Sequence, residues 1–323
     1  MRNWLEVQYH HLLDDLLEEG NRVADRTNTG TLSKFGHMIR CDLSEGFPLM
    51  TSKKINFNLV AGELLWFLNG KTDLPSLRKY QNKPENSHTI WSDDFEKFKK
   101  SQVDSVWYEG QAKDKYVKVL EEKEELGRIY GSQLRRYIIG NELDNSFIGS
   151  SAVFHDQLAT LIDNIKAVKD NPNHPMARRL RCTFWNPYDH TVGDKKWCAL
   201  PACHTDFQCL VRDGKLNISF SMRSSDAFLG LPYNIASYGL LCHILAEITE
   251  LEVGELIYFG NDVHLYLNHV EQAKELLTRS LRKLPKIVMP KIESLKDLEN
   301  LTGEDFKLEG YDPHGFIKAP QAS

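Results

Sequence analysis

The chain has 323 residues, 41% of them hydrophobic and 26% charged, which is enough for one large domain or two small ones with an ample core. A net charge of −5 and a pI near 6.2 exclude bulk attraction to nucleic acid, so any anion bound must meet a local cluster of arginines. No apolar run approaches the roughly eighteen residues of a membrane helix, and acids at Glu6, Asp14, Asp15, Glu18 and Glu19 interrupt what a signal peptide would keep apolar, so the expected location is the cytosol.

Along the chain, Leu5, Tyr9, Leu12, Leu13 and Leu16 recur at helical spacing and predict a helix over Trp4 to Asn21, ending near Gly20. After the turn-rich Asp25-Arg26-Thr27-Asn28-Thr29-Gly30, Thr31 to Leu43 reads as a strand. Phe57 to Leu68 reads as a largely buried helix stopped at Asn69-Gly70. Within it Glu63 is a carboxylate whose burial is costly unless it is partnered or functional. Phe95 to Glu124, rich in lysine and glutamate, reads as a surface excursion. An apolar helix fits His155 to Val168, followed by the break Asn171-Pro172-Asn173-His174-Pro175, the pair Arg178-Arg179 and a strand over Leu180 to Trp185.

Phe207 to Val211 and Leu216 to Met222, separated by Arg212-Asp213-Gly214-Lys215, predict a hairpin. Asn234 to Leu251 is a long apolar helix that Gly254 should end. Tyr258-Phe259-Gly260-Asn261-Asp262 leads into His264-Leu265-Tyr266, and Val270 to Arg282 is again helical. Strands and helices mix without regular alternation, and no repeat or low-complexity linker interrupts them. The expectation is a single α+β domain.

The chemistry concentrates in one stretch. Cys203-His204 is followed by Met222-Arg223-Ser224-Ser225-Asp226 and by Leu229-Gly230-Leu231-Pro232-Tyr233-Asn234. An ionisable thiol, a guanidinium that matches phosphate and an asparagine that both donates and accepts suggest a site for a small phosphorylated molecule. Cys203 alone reads either as a packing residue or as a nucleophile. The other cysteines (Cys41, Cys182, Cys198, Cys209 and Cys242) are scattered through a long chain, so all six are expected reduced. The five-residue gaps between Cys198, Cys203 and Cys209 do not suit zinc, and no metal is expected.

Arg26, Arg178, Arg179 and Arg223 are candidates for a phosphate clamp; no Walker or dinucleotide glycine loop competes with them. Asn234 is either a turn residue or the reader of a heterocycle edge. His264 and Tyr266, two residues apart, share a face if they lie in a strand.

These motifs, with Leu200-Pro201-Ala202-Cys203-His204, Glu63-Leu64-Leu65-Trp66-Phe67-Leu68, Thr51-Ser52-Lys53-Lys54, Ile90-Trp91, Tyr130-Gly131 and the tail Gly310-Tyr311-Asp312-Pro313-His314 with Ile317-Lys318-Ala319-Pro320, resemble the thymidylate synthase family. The match runs over nearly the whole chain, with inserts expected at 95–124 and 138–151. The resemblance implies one catalytic domain over 1–323, built on a large mixed sheet with helices on one face and the other face forming a homodimer interface. It further implies reductive methylation of dUMP to dTMP by methylenetetrahydrofolate, a co-substrate, giving dihydrofolate.

On that resemblance Cys203 adds to carbon 6 of uracil and makes carbon 5 an enolate nucleophile. Arg26, Arg223, Ser224 and the pair Arg178-Arg179 hold phosphate, the pair being donated by the other subunit. Glu63 organises proton transfers, and Tyr130 and His204 join the polar network around the base. Asn234 pairs with the uracil edge, and His264 and Tyr266 hold the deoxyribose hydroxyl. Lys53, Ile90, Trp91, Leu200, Asp226, Leu229, Gly230, Tyr233 and Ala319 serve the folate side, Asp226 holding the polar edge of the pterin and counting also among the catalytic and dUMP-binding residues, with Lys53 and the tail closing over it.

Several positions depart from the family pattern: Met222 stands for a usual glutamine, Ala202 for proline, Asn28 for glycine, Leu134 for tryptophan and Asn56 for histidine, and Asn261-Asp262-Val263 alters a turn. Met222 resembles the related nucleotide hydroxymethylases, in which water captures the methylene, so deoxyuridylate hydroxymethylase is the alternative. Asn234 argues against a cytosine substrate, whose reversed donor and acceptor favour aspartate. Trp91 and the closing tail favour hydride transfer. Messenger-RNA binding is a third reading; it calls for a basic face that the composition does not advertise.

Overall fold

The computed structural model describes residues 3–25, 28–104, 110–140, 153–191 and 197–321. Helix α1 (Trp4–Glu19) is capped by Asn3, whose side chain accepts from the Glu6 amide, and it buries Leu5, Tyr9, Leu12, Leu13 and Leu16. It ends two residues short of Asn21, because Asn21–Val23 pairs as strand β1 along β2 (Thr31–Asp42). Helix α2 spans Phe57–Leu68, as the apolar pattern predicts. The short α3 (Leu74–Tyr80) follows, with Asp73 as its cap.

The lysine- and glutamate-rich stretch is more than a surface excursion. It folds as α4 (Ser92–Val103) and α5 (Gly110–Lys123), which pack together and bury Phe95, Phe98 and Leu120. The Arg78 guanidinium donates both to Glu124 and to the Ser87 carbonyl, tying the end of α5 to α3. Next come α6 (Tyr130–Arg135), β3 (Tyr137–Gly140), β4 (Val153–His155), α7 (Gln157–Asp170), β5 (Arg181–Thr183) and α8 (Pro187–Thr191). Residues 141–152, most of the second expected insert, lie outside the described residues.

The hairpin is longer than its apolar core suggested: β6 (His204–Arg212) and β7 (Lys215–Asp226) pair antiparallel from Arg212–Lys215 up to His204–Met222. Helix α9 runs Gly230–Thr249, starting four residues before Asn234, and it ends on Glu250 in the left-handed region rather than on Gly254. Gly254 instead lies in β8 (Glu252–Tyr266), where a Cβ would strike the Asn217 side chain. Helix α10 (Val270–Leu277) stops five residues before Arg282, and β9 (Lys286–Val288) pairs with β10 (Lys307–Glu309).

Six strands form one mixed sheet in the order β1-β2-β8-β7-β6-β5, with β7 and β8 parallel and the other neighbours antiparallel. Helix α9 is the crossover that a parallel pair requires. Along β7, Leu216, Ile218, Phe220 and Met222 are buried while Asn217, Ser219, Ser221 and Arg223 are not, the period of two of a sheet covered on one face. Helices α1 and α9 lie on that face, and α7 covers its far edge. On the uncovered face Met38 and Phe259, paired across β2 and β8, are 47% and 43% exposed. The fold is thus the single α+β domain with a large mixed sheet and helices on one face.

Candidate active site

The ends of several elements converge near one end of the β6–β7 hairpin. Cys203 precedes β6, Arg223 to Asp226 close β7, Asn234 lies in the first turns of α9, His264 and Tyr266 end β8, Glu63 projects from α2 and Tyr130 opens α6. The register draws them together. His204 faces Met222 across the hairpin, so the Arg223 amide donates to the Cys203 carbonyl at 2.9 Å, and Asp226 lies beside His264 in the parallel pair.

Cys203 is partly exposed, whereas the other five cysteines are buried and no disulfide links any of them. Burial pushes the thiols of Cys41, Cys198 and Cys242 up to about 12 and raises those of Cys182 and Cys209 well above the ordinary thiol value, which keeps them protonated and inert. The Arg223 guanidinium donates to the Ala202 carbonyl at 2.8 Å and the Pro201 carbonyl at 3.2 Å, and its Nη2 reaches the Cys203 sulfur at 3.9 Å. A cation in that position stabilises a thiolate.

His204 does something else. Burial lowers its imidazole to about 4, so it is neutral at physiological pH. Its Nδ1 lies 3.1 Å from the Tyr238 hydroxyl and its Nε2 3.1 Å from the Asn234 amide nitrogen. A neutral ring donating from Nδ1 leaves Nε2 to accept from Asn234, which fixes the orientation of that amide. Tyr130 accepts at its hydroxyl from the amides of Cys203 at 2.8 Å and His204 at 3.4 Å, and burial raises its phenol well above the ordinary value.

Glu63 has the partner its burial demands: the Trp91 indole N–H donates to its Oε1 at 2.7 Å. Burial raises the Glu63 carboxyl above the ordinary carboxylate range, and the Trp91 bond partly offsets this. The Trp91 ring meets Trp66, Phe67 and Tyr130 edge-on, one apolar wall joining α2, α6 and the start of α4. Asp226 accepts from the amides of Phe228 and Leu229 through one oxygen, steering the chain into α9.

Comparison with known proteins decides what this constellation belongs to. The family model described as thymidylate synthase matches residues 7–323. A protein of Staphylococcus haemolyticus named thymidylate synthase is 39% identical over 347 residues, covering 100% of both chains. One of Listeria monocytogenes serotype 4b with the same name is 41% identical over 338 residues, covering 97% of this chain and 98% of the relative. The chain belongs to the thymidylate synthase family.

Within this thymidylate synthase fold the predicted site residues divide into groups. Cys203, His204, Tyr130, Arg223 and Asn234 form the connected core just described, and Glu63 joins it through Trp91 and the ring of Tyr130. His264 is buried and its ring meets that of Tyr266 edge-on at 5.2 Å, confirming that the two share one side of β8. Ser224 stands beside Asp262 in the β7–β8 register. Leu200, Leu229 and Tyr233 are partly buried against the core, Gly230 opens α9, Ala319 packs from the tail and Ile90 is 55% exposed.

Arg178 and Arg179 are exposed on the turn between α7 and β5 and do not enter the Cys203 cluster. Arg26 lies outside the described residues. Lys53 is buried rather than reaching outward: its Nζ donates to the Phe228 carbonyl and lies 4.0 Å from the Phe228 ring centroid. Burial lowers this amine to about 8, against the pull of Asp226. Among the described residues no group of three or more His, Cys, Asp or Glu is arranged to hold a metal, and no helix is long and apolar enough to cross a membrane.

Two residues, one inside this network and one outside it, have no role in the sequence reading. Tyr238 orients His204; its signal was a position one helical turn after Asn234. Glu6, buried inside the apolar stripe of α1, was visible by the same anomaly that marked Glu63.

Proposed function

We propose that this protein is a thymidylate synthase that converts dUMP to dTMP, with methylenetetrahydrofolate supplying both the carbon and the reducing hydride. The carrying observation is the pairing of its one partly exposed thiol with the Arg223 guanidinium, beside a histidine that burial keeps neutral. Cys203 thiolate attacks carbon 6 of the uracil, and Arg223 both favours the thiolate and binds phosphate. The Asn234 amide, held by His204, pairs with the uracil edge and prefers uracil to cytosine. Glu63 moves protons near the base, supported by its buried carboxyl and the Trp91 contact.

His264 and Tyr266 hold the deoxyribose hydroxyl. The folate site fits the residues present: apolar side chains at Trp91, Leu200, Leu229 and Tyr233 suit a flat heterocycle, and the Asp226 carboxylate suits its N–H edge. Gly230, Ile90 and Ala319 complete this side, and Lys53 steadies it from beneath through Phe228. These residues exclude water, so the one-carbon unit is reduced rather than hydrated.

The whole chain acts as one catalytic domain in the cytoplasm, as a homodimer through the uncovered face of the sheet. The exposed Met38 and Phe259 support that interface, and the exposure of Arg178 and Arg179 on the turn between α7 and β5 supports their donation to the partner's phosphate site, with Arg26 completing it. The departure at Met222 does not alter the polar edge: its side chain is buried with Phe220 on the covered face while Arg223 projects from the other.

Incubation with dUMP and methylenetetrahydrofolate, followed by mass resolution of the nucleotides, tests the assignment. We expect dTMP and dihydrofolate in equal amounts. Hydroxymethyl-dUMP without dihydrofolate would make the protein a hydroxymethylase instead.

A further inference from the structure

Glu6 has no place in the chemistry above, yet it is completely buried in the first turn of α1, and no cation pairs with it among the described residues. A buried carboxylate is tolerated only where donors surround it. Here they all come from two places. Its Oε1 accepts from the amides of Thr51 at 2.8 Å and Ser52 at 2.7 Å and from the Ser52 hydroxyl at 2.6 Å. Its Oε2 accepts from the Thr51 hydroxyl and from the Asn3 amide at 2.6 Å.

The loop so held, Met50 to Ile55, is also the seat of the C-terminal tail. The Tyr311 hydroxyl donates to the Met50 carbonyl at 3.0 Å and accepts from the Ile55 amide at 2.9 Å, bridging both ends of the loop. The His314 amide donates to the Thr51 carbonyl at 2.8 Å, and Arg279 spans the Ser52 carbonyl at 2.9 Å and the Gly315 carbonyl at 2.7 Å. The next residue, Lys53, is the one that supports Phe228 and the entrance to α9. One carboxylate therefore fixes, from within, the platform on which the tail docks and from which Lys53 projects.

We propose that Glu6 is a positioning residue for folate binding: its carboxylate sets the Met50–Ile55 loop so that Lys53 and the docked tail together form the folate side of the site. This rests on the folate site assigned above and makes Glu6, at the opposite end of the chain from Tyr311, the element that couples the two termini. Glu6→Gln keeps the shape but replaces one oxygen acceptor with a donor facing the Thr51 hydroxyl and the Asn3 amide.

The test compares wild type with Glu6→Gln in three measurements: affinity for dUMP, affinity for a folate in the presence of dUMP, and the rate of tryptic cleavage after Lys318, which lies in the exposed part of the tail. The expected result is unchanged dUMP affinity, about tenfold weaker folate binding and severalfold faster cleavage. Should Glu6→Gln fold poorly, Ser52→Ala removes a single donor and should show the same pattern at smaller amplitude. A purely structural role predicts a lower melting temperature with folate affinity and cleavage unmoved in the folded protein, and that result overturns the proposal. Failure of the wild type to make dTMP bears on the reaction, whereas the folate affinities bear on Glu6.

Discussion

Cys203 and its neighbours show how much a residue's role depends on what lies beside it. Adjacent in sequence, Cys203 and His204 suggest a thiol activated by an imidazole, but His204 is half-buried and neutral and faces Asn234 and Tyr238. The cation near the sulfur comes from Arg223, twenty residues on, because hairpin register brings it there. Glu63 was legible as an anomaly, a carboxylate in an apolar helix, yet its partner was not, since Trp91 lies on another element. That contact carries a prediction. Because the indole N–H stabilises the ionised carboxylate, Trp91→Phe should raise the Glu63 pKa further and move the acid limb of the kcat/KM profile to higher pH. An acid limb that stays in place would detach Glu63 from the rate-determining protonation.

The elements of the core were legible where apolar periodicity was strong. Helix α2 falls where the pattern put it, and α1, α7 and the β6–β7 hairpin lie within a few residues of expectation. The misses have local causes. Gly254 looks like a helix stop but serves a close approach to Asn217 in β8, and Glu250 takes the left-handed cap instead. Charge density hid α4 and α5, whose buried contacts rest on a few positions such as Phe95, Phe98 and Leu120.

Helix α9 also holds a pH liability. Burial lowers His243 to about 4, and its Nε2 has no hydrogen-bond partner among the described residues. The unfolded chain binds this proton from about pH 6.5 downward while the folded chain resists it until about pH 4. Stability is therefore intact above about pH 6.5 and falls through that window, by on the order of 1 kcal/mol per pH unit. His243→Leu should make chemical denaturation less steeply pH-dependent between pH 6 and 5. Identical slopes in the two proteins would mean that His243 does not titrate on unfolding.

At the scale of the whole molecule, one covered face and one bare face of a six-stranded sheet leave apolar side chains such as Met38 and Phe259 toward solvent, which a homodimer would bury. Periodicity along one chain shows which residues face away from the helices; it does not show what meets them. A charge placed on this face, in Phe259→Arg, should give a monomer by sedimentation and abolish turnover, because each site would lose the arginines proposed to come from the partner. A fully active monomer would refute the shared site.

The account as a whole, a Cys203 nucleophile served by phosphate-binding arginines from the other subunit, is most directly tested by mixing two variants. Cys203→Ser and Arg179→Ala should each make little or no dTMP from dUMP and methylenetetrahydrofolate, while Cys203→Ser still binds dUMP. Subunit exchange between them should restore dTMP formation, because one site of each mixed dimer then combines an intact Cys203 with an intact partner arginine. Substantial activity in Cys203→Ser alone, or no recovery in a mixture shown to have exchanged, would contradict it.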